Sequence, residues 1–264
     1  MVKIDPELIL RAQKHNNYMM QQYGPAIQYS IDNTVEYREP IFPVTFSLKD
    51  KSDMSNILLI NMDTVTAIHN FAKPGVKLCT LNYASYKNPG GGYIKGMMAQ
   101  EEALCHHSYL YNVISTFYGY YKFNNKDLNK GLYKNVALYS KDILFDGQSM
   151  TDVITCAAPN IGFRYSKATP QENQKALKER IKMVLEIADR HGNDTFIVGA
   201  WGCGVFGQNP EQVANLFVDY ISSTKFTHLK NIVFAIPDKH GSYTNFKAFA
   251  NAFKKRGVYN LIDK

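Results

Sequence analysis

Apolar residues along the chain follow two rhythms. Between Gln171 and His191 they recur at helical spacing, with Ala176, Leu177, Ile181, Val184, Leu185 and Ala188 on one stripe and Gly192 where a C-cap belongs. A looser stripe of Ile4, Leu8, Ala12, His15 and Met19 predicts a helix over about the first 25 residues, opened by Asp5-Pro6. Elsewhere the runs are short. Ile57–Ile60, Val76–Leu81, Val136–Tyr139, Val153–Ala157, Thr195–Val198 and Ile232–Ile236 read as buried strands.

Helices are expected between these strands. Asp63-Thr64 caps one that runs through Phe71 and ends at Lys73-Pro74-Gly75. Others are predicted over 99–117, from Pro210 onward, and over Tyr243–Lys255. Residues 24–52 read as irregular, because Gly24-Pro25, Pro40 and Pro43 break any period. Strands alternating with helices imply a mainly parallel sheet covered on both faces, a three-layer α/β/α domain. Residues 1–52 are expected to form an N-terminal extension packed on a domain spanning 53–264.

Composition narrows the class. Of 264 residues, 45% are hydrophobic and 13% aromatic, too much apolar surface to stay solvated, which excludes disorder. No apolar run reaches the length of a bilayer span and the N-terminus has no signal-type core, so a cytoplasmic chain is expected, or a nuclear one in a eukaryote. Cys79, Cys105, Cys156 and Cys203 are scattered without a paired motif, which argues against disulfide frameworks and zinc knuckles. Lys and Arg outnumber Asp and Glu by 30 to 23. That excess favours polyanionic ligands, but a general nucleic-acid binder would rest on charge alone.

Two glycine loops follow two strands. One runs Leu81-Asn82-Tyr83-Ala84-Ser85-Tyr86-Lys87-Asn88-Pro89-Gly90-Gly91-Gly92, the other from Gly199 to Gly207. In parallel sheets ligands bind outside the carboxyl ends of strands, and glycine lets backbone N–H groups approach phosphate oxygens closely. Two such loops suit a diphosphate. Neither matches the dinucleotide-binding or P-loop spacing.

Gln100-Glu101-Glu102 follows the first loop. Consecutive side chains on a helix point about 100° apart, so two carboxylates can border one pocket. Glycosidic cleavage needs an acid for the leaving oxygen and a base for water, and a carboxyl buried beside another would have a raised pKa. Two first-turn glutamates that only complement the helix dipole are the bland alternative.

The triple glycine, a spacer of seven residues, and Gln-Glu-Glu resemble the signature of poly(ADP-ribose) glycohydrolases. Leu81–Ser85, Ala103-Leu104-Cys105, Cys156–Asn160 and Gly199–Gly207 look like the compact bacterial and fungal branch of that family. The resemblance implies a macrodomain-like mixed sheet with a helical N-terminal segment over the adenine side. It assigns Glu102 as the acid/base that cleaves the ribose–ribose bond, and Glu101 as the residue holding the distal ribose hydroxyls. It places Asn82, Ser85, Gly90, Gly91, Gly92 and Gln100 at the distal ribose and diphosphate. Gly202, Gly204, Val205 and Gly207 would form the second diphosphate loop, and Phe206 the aromatic wedge against the distal ribose. Ser85 stands where many macrodomains carry asparagine, so its ribose contact is expected to be weaker or water-mediated.

No metal or organic cofactor is implied. Cys105-His106-His107 would need further ligands from elsewhere to hold an ion. The implied partners are poly(ADP-ribose) or an ADP-ribosylated protein, with free ADP-ribose as product, no membrane, and a monomeric enzyme. Removal of a single ADP-ribose from a protein side chain is the first alternative. A reader that binds ADP-ribose without cleaving it is the second, and it has no use for paired acids.

Overall fold

The computed structural model describes residues 6–38, 55–162, 166–238, 244–257 and 259–261. Eight strands form one mixed sheet: β1 (Val35–Tyr37), β2 (Asn56–Ile60), β3 (Leu78–Tyr83), β4 (Ala137–Phe145), β5 (Ser149–Cys156), β6 (Thr195–Val198), β7 (Asn231–Ala235) and β8 (Tyr259–Leu261). Their spatial order is β1-β4-β5-β3-β6-β7-β2-β8. Pairs from β5 to β8 along this order are parallel, whereas β4 runs antiparallel to both β1 and β5.

The helices are α1 (Pro6–Asp32), α2 (Thr64–Phe71), α3 (Gln100–His106), α4 (Leu110–Ile114), α5 (Tyr118–Asn125), α6 (Pro170–Arg190), α7 (Pro210–Ser223) and α8 (Thr244–Arg256). Side chains alternate between the two faces of the buried strands. Phe196 and Val198 of β6 pack with Leu177 and Val184 of α6, Phe217 of α7 and Phe249 of α8. Ile197, on the opposite face, packs with Ile68 of α2, Leu104 of α3 and Ile27 of α1. The three layers of the expected α/β/α class are therefore α1–α5, the sheet, and α6–α8.

Local chemistry explains the best-formed elements. Asp63 accepts from Thr66 N at 3.0 Å as the cap of α2. In α6, Thr169 Oγ1 accepts from Glu172 N at 3.2 Å while Glu172 accepts from Thr169 N at 2.7 Å, with Pro170 at the first helical position.

Four expectations are corrected. The stretch 24–32 is helical: α1 kinks at Tyr23 (φ −126°, ψ 21°), and Pro25, with no N–H to satisfy, follows the kink directly. The single helix expected over 99–117 is broken into α3 and α4, because Ser108 Oγ donates to Leu104 O and accepts from Leu110 N, turning the chain. β4 continues past Tyr139 to Phe145 through a register shift between Ser140 and Ile143, where Asp142 has φ 53°. Strands β1 and β8 had no counterpart in the sequence reading.

The N-terminal segment is not separate from the sheet, since β1 pairs along the edge of β4. The expected boundary at residue 52 lies outside the described residues, as do Ile4, Asp5, Pro40, Pro43 and Tyr243. Among the described residues no helix is long and apolar enough to cross a membrane.

Candidate active site

β3 and β6 are parallel neighbours, so the two glycine loops leave the same edge of the sheet side by side. Their contact is direct at Tyr83. A Cβ added to Gly199 would fall on the Tyr83 hydroxyl and 2.5 Å from Ala235 O, so only glycine fits where the second loop leaves β6.

The first loop returns into α3, and Gln100 fixes that return. Its Oε1 accepts from Tyr83 N at 2.8 Å and its Nε2 donates to Leu81 O at 2.8 Å. Gln100 was expected among the substrate contacts. Both ends of its amide lie on the β3 backbone, which positions α3.

This return buries both glutamates, at 3% exposure for Glu101 and 5% for Glu102. Glu101 Oε2 accepts from Ser85 N at 2.6 Å, and its Oε1 accepts from Asn82 Nδ2 at 3.3 Å. Burial pushes its pKa up to about 8, aided by the adjacent Glu102 and opposed by the Ser85 and Asn82 donors. Glu101 is therefore mostly protonated at neutral pH. Glu102 faces the loop: Oε1 accepts from Gly92 N at 2.8 Å, and Oε2 from Ala99 N at 3.1 Å.

Gly91 closes over the pair. Its φ is +60°, and an added Cβ would sit 2.6 Å from Glu102 Oε1 and 2.9 Å from Glu101 Oε2. A side chain at position 91 would therefore press on both carboxylates at once.

Asn82 and Ser85 lie beside Glu101. The Asn82 amide also reaches Thr155 Oγ1 at 3.3 Å, and its Oδ1 is buried without a hydrogen-bond partner. The Ser85 hydroxyl accepts from Lys87 N and Asn88 N, so it folds the loop, and its amide serves Glu101.

The second loop is a run of tight turns, with Gly207 N donating to Gly204 O and Gln208 N to Gly202 O, both at 3.0 Å. Phe206 O accepts from Ile161 N and Gly162 N, which ties the loop to the exit of β5. Its tip is open: Val205 is 89% exposed, and nothing lies within 4 Å of a Cβ on Gly204. Asn209 caps α7 through Gln212 N at 3.0 Å.

Phe206 meets Tyr133 edge-on, with centroids 6.2 Å apart, and Tyr133 stacks on Tyr86 at 4.0 Å. Buried Arg180 of α6 holds this platform from behind, donating to Ala157 O, Leu132 O and Asn135 Oδ1. The sequence reading missed Tyr86, Tyr133 and Arg180. Asn160 was seen only as part of a matching stretch, and its Nδ2 reaches Tyr133 Oη at 3.3 Å.

Cys105-His106-His107 belongs to the packing around α3. His106 lies edge-on to Tyr93 with centroids 4.6 Å apart, and burial pushes its pKa down to about 4. His107 pairs with Asp146 at 3.0 Å; His69 bridges Asp146 and Ser149; His191 caps α6 and stacks on Tyr139. Among the described residues no cluster of His, Cys, Asp and Glu is arranged to hold a metal ion.

A macrodomain-like sheet with paired acids under one glycine loop and an open second loop beside it defines a class: a hydrolase built around a diphosphate-bearing sugar. Residues 9–145, more than half of the chain, match the model of the microbial-type PARG catalytic domain, and the chain belongs to that family. As a PARG catalytic domain, it is a poly(ADP-ribose) glycohydrolase.

The match ends before the second loop, which is compared through structure. The crystal structure of PARG from Thermomonospora curvata has a TM-score of 0.81 at 24% identity, covering 94% of this chain and 100% of that one. A second structure of that protein, bound to the inhibitor ADP-HPD, has a TM-score of 0.80. PARG from Deinococcus radiodurans in complex with ADP-ribose has a TM-score of 0.75 at 25% identity, covering 88% of this chain and 98% of that one. No curated protein sequence is a significant match.

Proposed function

We propose that the chain releases ADP-ribose from the free end of poly(ADP-ribose), with Glu102 as the acid/base and the terminal ADP-ribose held between the two glycine loops. The observation that carries this reading is the approach of the first loop to both carboxylates at Gly91, where a Cβ would meet Glu102 Oε1 and Glu101 Oε2. The first loop therefore sets the sugar and the acids in one place.

The terminal diphosphate lies along the backbone of Gly202–Gly207, where the N-terminus of α7 adds its dipole. Phe206, backed by Tyr133, is the platform for the distal ribose. Glu101, protonated near neutral pH, retains a donor for a ribose hydroxyl while Ser85 N and Asn82 fix its orientation.

Glu102 donates its proton to the oxygen joining the two riboses, and the C–O bond at the anomeric carbon breaks. The electron pair leaves with the penultimate ribose as its hydroxyl. The positive charge on the terminal sugar is stabilised by the substrate's own diphosphate. Glu102, now a carboxylate, takes a proton from the attacking water, and ADP-ribose is released. The Gly92 and Ala99 amides stabilise the anionic form in between.

The test is incubation with automodified poly(ADP-ribose) and chromatographic quantification of ADP-ribose, beside Glu102→Ala. Release by the wild type alone supports the reading, and equal release by the variant refutes the role of Glu102.

A further inference from the structure

The loop from Gly92 to Ala99 has its two ends on the two oxygens of Glu102. Between those ends the chain makes a 3-10 turn over Tyr93–Lys95 and a left-handed turn at Gly96 (φ 72°). Tyr93 turns into the protein and is buried, and the side chains that follow it turn outward. Ile94, Met97 and Met98 are 42%, 40% and 59% exposed, and Lys95 is exposed among them. The stem of Met97 lies on Gly92, within 2.7 Å of where a Cβ there would sit. Three exposed apolar side chains within five residues are costly unless something covers them.

What covers them follows from where the leaving group must be. The oxygen that Glu102 protonates belongs to the penultimate ribose, and adenine is attached to the neighbouring carbon of that same ring. The base therefore departs from beside the Glu102 carboxyl, at the loop that grips it. A flat heteroaromatic ring suits methionine, whose polarizable sulfur packs on ring faces and edges. The penultimate unit also carries a diphosphate, and the cation available on this loop is Lys95.

We propose that Ile94, Lys95 and Met98 form a leaving-group subsite for the penultimate nucleotide, with the apolar pair against adenine and Lys95 toward phosphate. This rests on the glycohydrolase reading above and adds to it a preference for polymer over shorter leaving groups.

The test compares two substrates on the full chain carrying Ile94→Ser, Lys95→Ala and Met98→Ser together. One substrate is poly(ADP-ribose). The other is ADP-ribosyl-ribose, in which the anomeric carbon of the terminal ribose of ADP-ribose is joined to one ribose, so that its leaving group is a single ribose. Met97 is left in place because it packs on Gly92. The expected result is a fall of about tenfold in kcat/KM on polymer, with the ribose-leaving substrate changed by less than about twofold. Equal loss on both substrates, or no loss on either, overturns the subsite. If the wild type cleaves neither substrate, the glycohydrolase reading falls and the subsite with it.

Discussion

Tyr93 donates its hydroxyl to Asn16 Oδ1 at 3.0 Å, so the residue directly after the Gly92 amide that holds Glu102 is tied to α1. The same hydroxyl reaches Ala12 O, Asn112 Nδ2 donates to Asn16 O, and His15 bonds Ser108 O. The N-terminal helix is thus stitched to both ends of the segment that presents the acids.

Tyr93→Phe keeps the ring against His106 and Tyr111 but removes this tie. It is expected to cost about 1 kcal/mol of stability. A loosened Gly92 amide should lower kcat by about fivefold with little change in KM. Thermal unfolding and steady-state kinetics check both. Asn16→Ala should give a smaller loss, because the hydroxyl still has Ala12 O as an acceptor, and the double variant little more than Tyr93→Phe alone.

Gly91→Ala is expected to fold and to lose activity by at least about 100-fold, since the new methyl displaces both carboxylates. Gly204→Ala is the control for stability alone, because Gly204 lies in the proposed diphosphate loop. It has open space around the added methyl and should change stability by less than about 0.5 kcal/mol. Turnover and melting temperature of the two variants, measured together, decide this.

Stability should fall as pH rises from 6.5 to 8. The folded protein holds a proton on Glu101 up to about pH 8, whereas an ordinary carboxyl has lost it by pH 6.5, so the folded state binds more protons across this window. The contribution is about 2 kcal/mol over that range. His106 acts oppositely but lower down: with its pKa near 4, it costs stability only as pH falls below 6.5. Denaturant melts at pH 6.5 and 8 should show the slope in wild type and lose it in Glu101→Gln. A wild type flat across this window would show that Glu101 is ionised in the fold.

Arg180→Met should destabilise by about 3 kcal/mol, because it leaves Ala157 O, Leu132 O and Asn135 Oδ1 without their donor. Arg180→Lys should recover little, since one ammonium does not span three acceptors set by a planar fork. Chemical denaturation measures the cost. Weakened ADP-ribose binding by the folded fraction would report the platform of Tyr133 and Phe206.

Elements with local signals were legible in the sequence. The capping box at Thr169–Glu172, the stripe of α6 and the Asp63 cap depend on neighbours a few residues away. Periodicity failed over 99–117 because Leu104, Leu110, Val113 and Ile114 are all buried on both sides of the Ser108 turn. A stripe that continues through a buried turn looks like one helix. β1 has three residues and is specified by its pairing with Leu138 and Tyr139, about a hundred positions away. The site divides in the same way. Gly90–Gly92 and Gln100–Glu102 announce themselves by spacing, whereas Tyr86, Tyr133 and Arg180 meet from distant segments and carry none.

The two carboxyls also differ in a way the sequence did not show. Glu101 is turned toward Asn82 and β3, where burial raises its pKa, and Glu102 is held by the Gly92 and Ala99 amides. The most direct measurement is therefore ADP-ribose release from poly(ADP-ribose) by Glu101→Gln and Glu102→Gln side by side, with calorimetric binding of ADP-ribose to each. Glu102→Gln should bind ADP-ribose and release none, whereas Glu101→Gln should retain turnover with weakened binding. The opposite ranking, with Glu102→Gln the more active, would contradict the assignment of the acid.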